Sequence, residues 1–245
     1  MMNDVIAKGG LILLLGGGIV HADESADPSG WTGSGELGLA FARGNAKSET
    51  VNAKLALGRE SEQWKHDFGL QVLRVKGEQE DEFELTANRF EVTGSSGYKF
   101  DPRRSVIGAL RYENDDFAPF EYQAIASISY GYQMIDNEAT RLGVQIGPGY
   151  RRAKDRGTAE VEGDAVLRGR LDYSHQLTET TMISETFLVE ASGDNSFLQN
   201  DLAIAVKINA KLALKSGLQL RHNTDVSPGI DKTDTLLTTN VVFNF

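Results

Sequence analysis

The histidine and carboxylate side chains bound the chemistry open to this chain. Beyond residue 30 the histidines are His66, His175 and His222. Each would need a serine and an acidic or amide partner to serve as the base of a hydrolase. No serine is spaced to form such a pair, and no G-x-S-x-G elbow, metal-binding histidine pair or phosphate-cradling glycine motif is present. His222-Asn223-Thr224 is the one place where a rim hydrolase could be assembled, which makes lipid hydrolysis the least favoured reading. The run GEQEDEFE at 77–84 brings Glu78, Glu80, Asp81, Glu82 and Glu84 together. Hard divalent cations take carboxylate oxygens, so this loop could hold one at a lipopolysaccharide surface, although a solvated loop tip has the same composition. Glu113-Asn114-Asp115-Asp116 admits the same two readings. With no cysteine there is no thiolate nucleophile, thiolate metal site or disulfide. No catalytic residue, metal or cofactor is assigned.

A second set of charges follows a different rule. Glu36, Lys54, Asp67, Arg89, Glu91, Arg111 and Glu113 lie opposite an apolar row when the chain is read with period two. Arg168, Arg170, Asp172, Glu190, Lys207, Lys215 and Arg221 do the same further on. Charges of both signs on the enclosed face of a barrel can pair into salt bridges that fill the lumen. They can also line a narrow water-filled pore whose residual charge selects solutes. The expected function is a passive small-solute pore or an envelope-maintenance protein under osmotic stress. The alternative is a structural barrel with a plugged lumen and no transport.

The elements that position these charges are strands. Alternation runs through 31–43, 49–59, 64–76, 84–100, 105–113, 121–135, 140–152, 165–176, 182–192, 200–208, 211–224 and 235–245, and no helical period fits better. Twelve is an even count, as single-chain bacterial barrels require. Connections at 60–63, 101–104, 136–139, 177–180 and 209–210 are tight. Those at 77–83, 114–120, 153–164, 193–199 and 225–234 are longer and polar, and only 44–48 is brief. Short turns alternating with long loops are the asymmetry of an outer-membrane barrel. Twelve strands also enclose more room than the eight whose interior side chains just fill. The fold expected is all-β, a transmembrane antiparallel up-and-down barrel.

The closing segment, TLLTTNVVFNF, places Leu237, Thr239, Val241, Phe243 and Phe245 on one face. Such a strand makes sense if it pairs on both edges and shows its apolar face to lipid. It resembles the terminal-aromatic strand by which bacterial barrels are recognised for insertion, so Val241, Phe243 and Phe245 are expected to meet the barrel assembly machinery. Pro148 falls inside a strand and predicts a bulge within Gly147-Pro148-Gly149. Arg74, Glu185 and His66 fall on the apolar parity and are tolerable only near the interfaces.

Composition agrees. No run of 18 apolar residues is present, and a mean hydropathy of −0.32 suits a barrel that alternates apolar with polar. A net charge of −10 argues against nucleic acid as partner. GGLILLLGGGIV at 9–20, after Lys8 and before Val20-His21-Ala22, reads as a signal peptide over 1–22. Residues 23–30 then form a short periplasmic lead-in, and 31–245 the barrel.

Gly35-Glu36-Leu37-Gly38, the Gly44-Asn45 turn, Tyr98-Lys99-Phe100-Asp101-Pro102-Arg103 and Tyr112-Glu113-Asn114-Asp115-Asp116-Phe117 resemble pieces of a bacterial outer-membrane β-barrel family of unknown function. Its members are often labelled salt-induced outer-membrane proteins. The likeness spans nearly all of 31–245 and departs at Ala46, where a threonine is more usual. It implies a cell outer membrane location, with lipid and lipopolysaccharide as surroundings, and names neither a reaction nor a solute.

Overall fold

The computed structural model describes residues 30–42, 48–79, 82–226 and 231–245. The expected leader at 1–22, the Gly44-Asn45 turn and the carboxylates Glu80 and Asp81 lie outside the described residues, as does nearly all of the lead-in.

Twelve strands form in chain order: β1 (Trp31–Ala42), β2 (Ser48–Glu60), β3 (Trp64–Gln79), β4 (Glu82–Lys99), β5 (Arg104–Asp115) and β6 (Phe120–Asp136), then β7 (Thr140–Asp155), β8 (Val161–Gln176), β9 (Thr181–Ala191), β10 (Phe197–Lys207), β11 (Leu212–Asn223) and β12 (Thr233–Asn244). Each pairs with its neighbour in sequence, and β12 returns to β1, closing an antiparallel barrel. The apolar rows of the period-two pattern face outward wherever their side chains are described. Leu237, Val241, Phe243 and Phe245 are exposed, whereas Asn240, Val242 and Asn244 on the other face of β12 are buried.

Aromatic rings gather at two levels of the outer surface. Trp64 and Tyr98 meet edge-on at 5.2 Å, and Tyr98 meets Phe100 at 5.5 Å, beside the short turns. Phe243 and Phe245 stack at 6.1 Å at the same end, and Tyr112 and Tyr122 at 6.3 Å toward the other. An apolar belt between two aromatic girdles is the surface a hydrocarbon layer covers. The three outward polar residues are managed locally. His66 stacks on Trp64 at the short-turn rim, Arg74 lies beside the irregularity at Val75/Lys76, and Glu185 accepts a hydrogen bond from Asn200 at 2.8 Å.

Three expectations need correction. The long loops are shorter, because β3 and β4 run on to Gln79 and from Glu82, and β7 and β8 occupy most of 153–164. A hairpin that projects into water has no apolar face to alternate, so its strands read as loop. Secondly, Pro148 makes no bulge. The β6–β7 register is the same on either side, with Ser127 opposite Gly149 and Tyr130 opposite Ile146. Instead the strands crowd together: a Cβ on Gly147 would lie 2.6 Å from the Ser129 Cα. Thirdly, β12 pairs on both edges only from Val241 to Asn244; above that level it is held by β11 alone.

The crowding at Gly147 gives a test. Gly147→Val should sharply lower the fraction that refolds in detergent, read as heat-modifiable gel mobility. Gly169→Val should refold normally, since a Cβ added there meets nothing within 4 Å.

Candidate functional site

The inward faces bring long charged side chains together across the barrel. Arg111, near the centre of β5, donates to Glu91 of β4 at 2.9 Å, to Glu113 two residues along at 2.7 Å and to Glu190 of β9 at 2.8 Å. β5 and β9 are not neighbours, so the last bond spans the lumen. Arg221 comes from β11, on the opposite wall, and donates to Glu113 and, at 3.0 Å, to Asp115. Phe197 of β10 is 1% exposed and lies under both cations, its ring centre 4.7 Å from the Arg111 guanidinium carbon and 4.9 Å from that of Arg221. A guanidinium offers five donors in a planar fork and favourable stacking on an aromatic face, which suits it to bridge several carboxylates. Arg168 adds a looser contact to Glu190 at 3.6 Å.

Other charges pair at other levels. Lys215 donates to Glu36 at 2.8 Å, Asn240 donates to the same carboxylate at 3.2 Å, and Lys54 is the register partner of Glu36. Arg170 grips Asp172 through two nitrogens at 2.7 and 2.6 Å. Asp67 accepts from Ser95 at 3.3 Å. Arg89 donates to Gln219 at 2.6 Å, and Gln219 donates in turn to Asp201 at 2.6 Å. Lys207 is half-buried at the short-turn rim and joins no ion pair among the described residues.

Several interior residues were missed from the sequence. Arg151 is buried and donates to Asp164 at 2.7 Å and to the Asn195 carbonyl at 2.9 Å. Its inward parity was readable on β7. Phe197 had been placed in a loop, and nothing in an apolar residue at a strand's first position announces a lumen site. Ala205, Ala213 and Val242 form a small apolar patch inside the wall, with Met182 against it.

The space left is uneven. A cavity of about 580 Å³ opens toward the longer connections, between Arg89, Gln219 and Arg221 on one side and Asn52, Leu73 and Leu236 on others. Beside Arg168 and Arg170, and again beside Glu36 and Lys54, about 40 Å³ remains. That is room for isolated water molecules only.

The remaining candidates do not converge. His175 is paired with Thr140 at 2.7 Å and His222 with Thr233 at 2.8 Å, both on the outward parity, as His66 is. Strand alternation splits Glu113-Asn114-Asp115-Asp116. Glu113 and Asp115 turn inward to Arg111 and Arg221, Asn114 bonds the Glu121 carbonyl, and Asp116 accepts from Asn88. No metal-binding group of three acidic or histidine side chains forms among the described residues.

Residues 35–245 match the family described as "Protein of unknown function, DUF481". No curated protein matches the sequence. Among solved structures, an outer-membrane channel from Pseudomonas putida F1 is similar with a TM-score of 0.54 and 13% identity, over 93% of this chain and 100% of that one. The NanC porin is similar with a TM-score of 0.51 and 9% identity, over 88% of this chain and 98% of that one. Both likenesses are to the fold, a porin-like β-barrel.

Glu113 is the hinge of the network, so its removal should be costly. Glu113→Gln should destabilise the barrel by about 3 kcal/mol, the low end for breaking a buried pair, because Arg111 keeps Glu91 and Glu190 and Arg221 keeps Asp115. Glu121→Gln, which breaks a half-exposed pair with Lys154, should cost less than about 1 kcal/mol. Urea unfolding in detergent micelles separates the two.

Proposed function

We infer the function from the premise that the chain belongs to the DUF481 family, proteins of unknown function, over residues 35–245. The protein is an outer-membrane β-barrel of a Gram-negative envelope whose lumen is closed at rest by a cross-barrel ion network. It is not a constitutively open pore. The observation that carries this reading is the tie between opposite walls: Arg221 of β11 on Glu113 and Asp115 of β5, with Arg111 reaching Glu190 of β9. These groups are too buried for salt to screen effectively, and Arg111, Glu113, Glu190 and Arg221 are each at most 6% exposed. Beside the network, next to Arg168 and Arg170, only about 40 Å³ of space remains. Such a barrel serves the envelope as a stable wall element, and its role under osmotic stress follows from the family resemblance.

The similarity to a porin and a channel favours a second reading, in which the network parts to pass small solutes. Planar-bilayer recording decides between them. The closed reading predicts no discrete conductance for the refolded wild type and discrete steps for the Arg111→Ala/Arg221→Ala variant, which removes the two cations that share Glu113. Steady wild-type conductance would establish the pore instead. A deletion strain should also lose resistance to high salt; growth equal to the parent's would remove the osmotic role.

A further inference from the structure

The seam that closes the barrel is incomplete. β1 and β12 pair through Ser34–Leu37 and Val241–Asn244, and Gly33 exchanges hydrogen bonds with Phe245 at 2.7 and 2.9 Å. The same register, continued, would set Gly38–Ala42 against Leu236–Asn240, yet none of these five pairs forms. Each segment is paired on its far side only, β1 with β2 and β12 with β11. Every other seam is a ladder of at least ten pairs. At Gly38 the Asn240 side chain folds across the gap, which marks where the strands begin to part.

The 580 Å³ cavity lies behind this gap and reaches through it. Its lining includes inward Leu236 and Asn240 and also outward Leu39 and Leu237, which are 54% and 77% exposed. One wall is apolar, with Leu73 and Val75. Beside them, as the β4 register partner of Leu73, is Arg89, only 8% exposed, whose guanidinium makes a single hydrogen bond, to the neutral Gln219, and no ion pair among the described residues. Of the nearby carboxylates, Glu113, Asp115 and Glu91 are already held by Arg111 and Arg221, and Asp234, at the cavity's rim, makes no ion pair with Arg89 among the described residues. An arginine stays charged at any relevant pH and is costly to bury without an anion. Two of the residues that line the cavity carry buried polar atoms without a hydrogen-bond partner, Asn52 Oδ1 and Arg221 Nε.

We propose that this cavity binds a single-chain anionic amphiphile, with its headgroup on Arg89 and its hydrocarbon chain leaving through the open half of the β1–β12 seam. The volume is within the range of small-molecule pockets. The occupant would also cover strand edges whose free N–H and C=O groups are expensive to leave bare in hydrocarbon. The proposal rests on the barrel lying in a membrane, and not on the lumen being closed.

Titration of the detergent-solubilised full barrel with cis-parinaric acid tests it, because neither a bilayer nor a conductance enters the readout. Saturable binding at one site is expected. It should weaken about tenfold or more in Arg89→Gln, as befits loss of a charge-assisted contact, and be lost in Leu236→Trp, which fills the exit. A competition arm with lysophosphatidic acid against unlabelled oleic acid separates the two headgroup sources; displacement by either supports the site, and the tighter competitor names the headgroup. Methyl oleate, which needs no variant, should fail to compete. Non-saturable binding, equal affinity in Arg89→Gln, or methyl oleate competing as well as oleic acid would overturn the proposal.

Discussion

Arginines placed inside a protein wall call for anionic partners, because they cannot shed their charge. That demand organises the interior of this barrel. Arg111 and Arg221 rise from β5 and β11, on opposite walls, and share Glu113. Glu91, Asp115 and Glu190 complete their coordination, and Phe197 supplies an apolar floor on which both cations stack. Because each contact restricts several others, the set fixes the relative height of strands that never touch. Register along the wall comes from the ladders, and shape across it from these bonds.

The same arrangement accounts for the closed lumen proposed for these twelve strands. A wall of this size encloses more room than short interior side chains can fill. Long ones, held across the axis in pairs, occupy it instead. Where the pairing stops, on the β1–β12 side, space reappears as a cavity, and the seam beside it is left unzipped. Filling and closure therefore fail together. Asn240 is where they meet, donating to Glu36 below and lying across Gly38 at the foot of the gap.

The sequence displays the wall almost completely. Period-two alternation located all twelve strands, because each spans an apolar belt and a polar interior that force opposite choices on neighbouring residues. The boundaries it misplaced include that at Phe197 and those at Gln79, Glu82, Asp155 and Val161; at the last four the hairpins leave the belt and that force disappears. The family resemblance, quoted from pieces such as Gly35-Glu36-Leu37-Gly38, agrees with the match over 35–245. Pro148 misled, since crowding at Gly147 does the work a bulge was expected to do. Parity told that Glu113 and Arg221 face inward, but not that they meet. Partners across an axis are separated by 108 positions here, and nothing local encodes them. The half-open seam was illegible for the same reason, since it is an absence of pairing between the two ends of the described chain.

The central claim is that water does not traverse the lumen. The natural absence of cysteine makes a direct measurement possible. Ser129 points inward at 2% exposure, whereas Thr50 lines the cavity that opens toward the longer connections. Single variants Ser129→Cys and Thr50→Cys, refolded in lipid vesicles, can be treated with a membrane-impermeant charged thiol reagent from both sides. The account predicts rapid modification at position 50 and protection at position 129. Equal reactivity at the two positions would contradict it.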